Sequence, residues 1–430
     1  MKQIPRHSDS GPPVSLALCA ILLLAFLTGS VSADENHSGL LKWLTGIQPE
    51  NARLLRAARL SFSGWLNAGI TYNPSSPGDG YNGPVTFSDR SGVLQMGQFY
   101  LSLERPVDMD GEHWDLGGHV DLLFGSDAVF TQANGDAHGH WDQNLLRTGD
   151  YSLALPQLYL EAFIPLGKGI DLKAGHFYTQ IGSESVMAPD NFFASHSYMM
   201  QYGEPFTHTG FMTRYPLTDL ISLNLGAATG SAMAGWDGDF EHHLDHWAFL
   251  GGLNYASVSG NTTATINAVQ GEIQGQTPGN LNLYSLVLHH DFSPVWHYTL
   301  QHDYGWGSQN TTRKNTEWYG IAHYLSYDIK RSLSVGLRAE WFRDDDGLRV
   351  QSGYRASLFG DRADTSQPNA TGSGYYALTA GLRWKPASWI TVRPAIRYDW
   401  SDQKKQFDCQ DSRCSRSDQL LFSTDVILSL

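Results

Sequence analysis

Charged residues stand at alternate positions in several otherwise apolar stretches of this chain. Arg338 and Glu340 occupy such places in Leu333-Ser334-Val335-Gly336-Leu337-Arg338-Ala339-Glu340-Trp341, and Arg383, Arg393, Arg397 and Asp399 recur in the same manner farther on. Asp115, His119, Asp121, Glu161, Asp171 and Lys173 do so nearer the start, and Asp425 near the end. Side chains of a strand point alternately to opposite faces, so these groups share one face and the apolar residues the other. Guanidinium and carboxylate groups along a wetted wall can steer ions and small polar solutes, which is the chemistry of a channel lining. The same residues also fit a solvated interior whose charges pair with neighbours and select nothing.

The segment 179–204 carries a different kind of signal. Met187, Phe192, Phe193, Met199 and Met200 make it too apolar for a loop in water, and Glu184, Asp190 and Glu204 accompany them. Burying each apolar side chain is worth about 1.5–3 kcal/mol, so the segment is expected to fold down. Folded inward, it would set its three acids opposite the arginine-bearing wall as a constriction with a field across it. Folded otherwise, it would cap the outside or pack on a neighbouring subunit.

Other chemistries find less support. His138 and His140 in one loop, and His242, His243 and His246 in another, could ligate zinc or copper, yet their spacing fixes no coordination geometry, so no metal is assigned. No G-x-S-x-G or H-E-x-x-H occurs and no serine is singled out, so no enzyme and no cofactor are expected. Cys409 and Cys414 stand close together in one polar loop of an exported chain and read as a small structural disulfide.

The elements that must position these residues are strands. Sixteen alternating segments run from Leu60 to Leu430: 60–72, 94–105, 113–124, 153–164, 169–178, 205–215, 220–229, 245–257, 262–271, 282–292, 295–304, 316–328, 332–343, 374–385, 390–400 and 417–430. Their connections alternate. Tight ones such as Pro165-Leu166-Gly167-Lys168, Ser259-Gly260 and Ser293-Pro294 take turns with long polar loops at 73–93, 125–152, 179–204, 230–244, 344–372 and 401–416. In an up-and-down barrel all the short turns fall at one end. The expectation is therefore an all-β transmembrane antiparallel barrel, apolar outside and wet inside, with short periplasmic turns and long extracellular loops. Sixteen strands are expected, or eighteen if 125–152 or 344–372 hides a hairpin.

Composition agrees. Aromatic residues reach 12%, with 13 Trp and 20 Tyr, while charged residues make up only 17%. That suits amphipathic rings at two membrane–water boundaries. A net charge of −14 with no basic stretch excludes nucleic acid as a partner. Residues 1–33 read as a signal peptide: Lys2 and Arg6, then an apolar run from Val14 to Gly29, then Val31-Ser32-Ala33 before a cleavage point. Residues 34–59 show helical spacing at Leu40, Leu41, Leu44 and Ile47 and again at Leu54, Leu55 and Ala58. They are expected to form a short helical segment ahead of the barrel, 60–430, either periplasmic or tucked into the barrel mouth.

Several blocks in order resemble a known family. They are Ser63-Gly64-Trp65-Leu66-Asn67-Ala68-Gly69, Gln98 to Val107, Trp114-Asp115-Leu116-Gly117, Val120 to Ala128, Glu204 to Gly210 and Ala339 to Gly347. Together they resemble the β-barrel porin-2 family, also called OmpL-like, over nearly all of the chain after its first 33 residues. The resemblance implies an outer-membrane pore of a Gram-negative-type bacterium, passing small hydrophilic solutes passively. One departure is the last residue, Leu430, where such barrels commonly end in an aromatic. The alternative is a plugged receptor or adhesion barrel that binds a partner through its long loops. Outer-membrane lipid surrounds either. A homotrimer is left open, because lipid-facing and subunit-facing residues are both apolar.

Overall fold

The computed structural model describes residues 39–430, apart from 47, 49–50, 79, 110, 133–141, 143–144, 149–150, 230–246, 274–278, 310–313, 348, 351–371, 404 and 411–412. Two short helices, α1 (Leu40–Thr45) and α2 (Arg53–Ala57), lead into β1 (Ser61–Tyr72), β2 (Leu94–Arg105) and β3 (Asp115–Gly125). Next come β4 (Arg147–Thr148), β5 (Tyr151–Ala154), β6 (Leu158–Ile164), β7 (Ile170–Tyr178), β8 (Thr207–Pro216) and β9 (Ile221–Thr229). They are followed by β10 (Trp247–Ala256), β11 (Thr262–Ile273), β12 (Gly279–Ser293), β13 (Trp296–Gln309), β14 (Lys314–Lys330) and β15 (Leu333–Asp344). The chain closes with β16 (Ser373–Ala387), β17 (Ile390–Ser401), β18 (Phe407–Gln410), β19 (Arg413–Arg416) and β20 (Asp418–Ser429). Among the described residues no helix is long and apolar enough to cross a membrane.

Successive wall strands pair antiparallel, and β20 returns to β1, setting Trp65 opposite Ser429 and Tyr72 opposite Phe422. Closure removes the open edge and satisfies the backbone internally, as hydrocarbon requires. β3 pairs with both β5 and β6, which are the two halves of one wall strand. Pro156 interrupts it, having no N–H for the ladder, but Asp121 N–H still donates to Gln157 O at 2.8 Å. β4 pairs only with β5, and β18 only with β19, as small hairpins beyond the wall. The wall therefore has sixteen strands. The hairpin in 125–152 adds none, and most of 344–372 lies outside the described residues.

Alternation is inverted relative to a soluble core. In β15, Val335 and Leu337 are exposed while Arg338, Glu340 and Phe342 are buried. The outer wall carries Leu160, Leu225, Leu253, Leu378 and Phe422 in the open. Aromatic neighbours ring it at two levels: Trp296 with Tyr327 and Phe292 with Tyr298 below, Tyr304 with Trp306 and Tyr376 with Trp400 above. The step from Trp296 to Trp306 rises roughly 33 Å along the strand, or about 25 Å along the axis at a tilt of ~40°. That matches the apolar band of an outer-membrane barrel.

The short turns lie at one end, and Gly167 (φ +64°) and Gly169 (φ +91°) supply left-handed angles in the one joining β6 to β7. At the other end the sorting is less strict than expected. β11–β12 and β13–β14 are joined by only five and four residues, because those strands extend past the membrane. The N-terminal segment is helical in two short pieces, and Gly46 (φ +71°) ends α1.

Candidate functional site

The connection between β7 and β8, residues 179–206, folds into the barrel. Its apolar residues drive this: Phe193, Tyr198, Met199 and Met200 are all at most 4% exposed. Tyr198 and Met199 pack with Trp318, Phe342 and Tyr375 of the wall. Val186 and Met200 pack on the opposite side with Trp65 and Tyr100, and with Phe87 and Phe130 from two other inserted loops. The wall is notched to receive them. A Cβ on Gly336 would lie 2.4 Å from the Phe192 ring, and one on Gly320 would lie 2.8 Å from Met199 Cγ. Where the loop crosses it, the lumen is thus packed like a protein core.

The arginine row holds this loop by its backbone. Arg338 donates to Ser195 O at 2.6 Å and to Glu184 Oε1 at 2.7 Å, and its Nε lies 3.3 Å from Glu340 Oε1. Arg397 donates to His196 O at 2.6 Å and to Asp399 Oδ1 at 2.7 Å, with its head 5.1 Å from the Tyr198 ring centre. Arg393 donates to Ala188 O at 2.7 Å and Asn191 O at 2.8 Å while pairing with Asp425. Arg383 donates to Pro189 O at 2.9 Å. Glu340 and Asp399 complete the grip, accepting from Tyr198 N–H at 2.6 Å and Tyr198 OH at 3.0 Å.

The three loop acids meet different fates: one pairs directly with an arginine, one is exposed near Arg383, and one turns to the other wall. Burial opposes the charge of Glu184, but Arg338, His196 and the Ser197 N–H outweigh it and hold the carboxyl down at about 2. Asp190 is exposed, and partial burial raises it despite Arg383 nearby. Glu204 turns to the other wall, where Gln301 Nε2 donates to it and, at 2.8 Å, to Asp303. Instead of opposed charge rows there is a direct Glu184–Arg338 pair, an exposed Asp190 and a Glu204 turned away, because the loop's apolar residues draw it tight against the wall.

Burial, reinforced by the Asp303 carboxyl, pushes Glu204 well above the ordinary carboxylate range. A carboxyl that keeps its proton longer when folded binds more protons in that state. Its contribution is complete below ~4.3 and fades as pH rises toward the raised value. Conductance is accordingly expected to climb as pH is raised above about 5, as the loop loosens. Glu204→Gln should flatten that climb; equal slopes in both proteins would show that Glu204 does not hold the loop. A cavity of about 140 Å³ lies beside it, lined by residues 178–186, Met200 and 204–206.

Below the loop the inner wall is polar. Asp121 is 1% exposed and accepts from Tyr100 OH and, at 2.7 Å, Gln157 Nε2. Glu161 lies 3.9 Å from Lys173. Asp115 sits at the periplasmic rim, 2.8 Å from Arg105 and 3.2 Å from Arg59. Ser102, His119 and Asp121 have the residue types of a hydrolase triad, but both partners meet the same nitrogen. His119 Nε2 lies 2.9 Å from Ser102 Oγ and 2.8 Å from Asp121 Oδ1, which gives no relay.

Sequence reasoning passed over a chain of contacts near the periplasmic turns. His289 Nε2 lies 3.1 Å from Asp291 Oδ1, which also meets His297; His297 Nε2 lies 3.3 Å from Asp328, and Asp328 accepts from Ser334. Strand parity puts all of them inside, and that signal was available. Gln98 was also missed; it donates to Val186 O at 2.6 Å and accepts from Ala188 N–H at 3.0 Å. The histidines at 138, 140, 242, 243 and 246 lie outside the described residues, among which no metal-holding group occurs. Cys409 and Cys414 stand opposite each other in the β18–β19 register, and Cys414 is disulfide-bonded.

The model of the family described as "Putative beta-barrel porin-2, OmpL-like" matches residues 59–430. No curated protein matches the chain. Among solved structures, OprB of Pseudomonas putida at high pH is similar with a TM-score of 0.56 and 12% identity, over 90% of this chain and 97% of that one. The anion-selective porin from Comamonas acidovorans gives 0.55 and 10%, over 86% and 99%. The outer-membrane channel DcaP of Acinetobacter baumannii gives 0.55 and 12%, over 86% and 97%.

Proposed function

Because the chain belongs to the OmpL-like β-barrel porin-2 family, and so is an integral outer-membrane channel, we propose that it is a narrow porin for small hydrophilic solutes. The observation that carries this reading is the loop 179–206, held across the lumen by Arg338, Arg383, Arg393 and Arg397 through its own carbonyl oxygens. Glu184, Asp190 and Glu204 belong to that constriction. Arg338, Glu340, Arg393, Arg397 and Asp399 support it from the wall, engaged with the loop and with one another rather than with solute.

Ion preference then falls to the wider vestibule. Inward positions there carry Glu104, Glu161, Asp171, Asp291 and Asp328, against Lys173, Arg214 and Lys385. Long-range bias from such a mixed lining is small and screened by salt. The expected outcome in a planar bilayer is small steps with a weak preference for cations, read from the reversal potential in a salt gradient. Large steps with strong anion preference would overturn the proposal. A plugged receptor would stay silent.

The same recording bears on assembly. β7–β10 form the lowest wall, nine or ten residues per strand, while β12–β16 run from twelve to seventeen. Small outward residues such as Ala174, Thr213 and Ala227 allow another copy to approach there. A homotrimer through this wall would insert in triplets of equal steps.

A further inference from the structure

The residues that lead into the barrel stay outside its lumen and are not part of the loop plug. Gly39 abuts the chain end so closely that a Cβ there would lie 2.5 Å from Leu430 O. Four residues on, Trp43 lies 5.1 Å from Trp389 in the turn between β16 and β17. Both contacts belong to the short-turn rim, where Phe292, Trp296 and Tyr327 mark the lower membrane boundary. α1 thus continues the aromatic ring of the barrel.

Three apolar side chains of this segment point into open space: Trp43 at 55% exposed, Leu44 at 61% and Leu54 at 83%. Those values match the lipid-facing wall, where Leu160 is 75% and Phe292 65% exposed. The charge here also reverses that of the protein. Within 39–60 stand Lys42, Arg53, Arg56 and Arg59 against one acid, Glu50, in a chain of net charge −14. Short amphipathic helices with basic and aromatic residues, placed at a membrane boundary, lie in the headgroup layer.

We propose that α1 and α2 form an interfacial anchor that binds the anionic phospholipid headgroups of the inner leaflet around the barrel's closing seam. Trp43, Leu44 and Leu54 enter the acyl boundary, and Lys42, Arg53 and Arg56 meet the phosphates. The inference rests on the outer-membrane assignment, and insertion of the barrel is scored separately below by its resistance to protease.

The test uses the refolded chain lacking residues 1–33, in vesicles of phosphatidylcholine alone or mixed with phosphatidylglycerol. Hydrogen exchange of residues 39–58 should slow by at least about tenfold in the anionic vesicles, since each basic residue near such a surface adds to attraction. High salt should reverse much of that gain. Lipids brominated on the acyl chain should quench the emission of Trp43, read as the difference between the wild type and Trp43→Phe. Replacing Lys42, Arg53 and Arg56 by Gln should bring exchange back to the phosphatidylcholine value with the barrel still protease-resistant. Exchange independent of lipid composition, or an unquenched Trp43 in an inserted barrel, would overturn the proposal, and a periplasmic protein would then be the occupant to seek.

Discussion

Deleting residues 186–200 should raise single-channel conductance several-fold and move the reversal potential toward anions. The segment contains Phe193, Tyr198, Met199 and Met200, all buried in the lumen. It also contains every loop carbonyl that Arg338, Arg383, Arg393 and Arg397 hold. Without it those four cations face water beside Glu184, Glu340, Asp399 and Asp425, and Asp190 is lost with the segment, so the wall gains one unit of positive charge. Widening and recharging are separable in one planar-bilayer recording: step size reports the first, and the zero-current voltage across a salt gradient the second. The wall ladders do not involve the deleted residues, so the barrel should fold. Unchanged conductance from a folded deletion protein would mean that solutes never pass this loop.

Arg397→Ala should free the loop without unfolding the barrel. Arg397 is 2% exposed and sits between Asp399 and Glu340, with Tyr198 stacked on its head. Removing one member of a buried ion cluster leaves uncompensated charge and costs about 3–5 kcal/mol. The cost falls on the weakest cooperative unit, and that is the loop, because wall strands are tied by continuous ladders. Protection of residues 186–200 from hydrogen exchange should therefore drop on the order of 10²–10³-fold, while β12–β16 keep theirs. Arg397→Lys should land between, since an ammonium cannot fork to His196 O and Asp399 together. Equal loss of protection in loop and wall would place the cluster's role in the barrel itself.

The sixteen strands were legible because lipid outside and water inside impose a strict period of two, and each expected segment overlaps its observed wall strand, with β11, β12, β13, β14 and β16 running two to five residues farther. The same parity put Arg338, Glu340, Arg383, Arg393, Arg397 and Asp399 on the inner face. It could not reveal what they hold. A backbone carbonyl has no signature in sequence, so the arginines read as partners for acids across a gap. The direct Glu184–Arg338 contact and the turning of Glu204 toward Gln301 depend on how far Tyr198 and Met199 sink into the wall. Gly320 and Gly336 set that depth, and as strand glycines they read equally well as bends. His289, Asp291, His297 and Asp328 were within reach of parity alone, but lie on three strands and form a cluster only once register is known.

The hold on the loop through main-chain oxygens has an evolutionary consequence. Every amino acid carries a carbonyl, so the arginine grip is blind to which side chains stand at Ala188 and Pro189, whereas Ser195 Oγ also accepts from Arg338 at 3.1 Å and the side chains of Asn191 and His196 hold Ser185 and Glu184. It is sensitive to the number of residues between those points, since one inserted or lost residue puts the oxygens out of step with guanidinium groups fixed on three strands. Lineages descending from this chain can therefore vary Ala188 and Pro189 more freely than Asn191, Ser195 and His196, while the spacing of all five stays constant. The inner surface of the pore can diversify without its closure being lost.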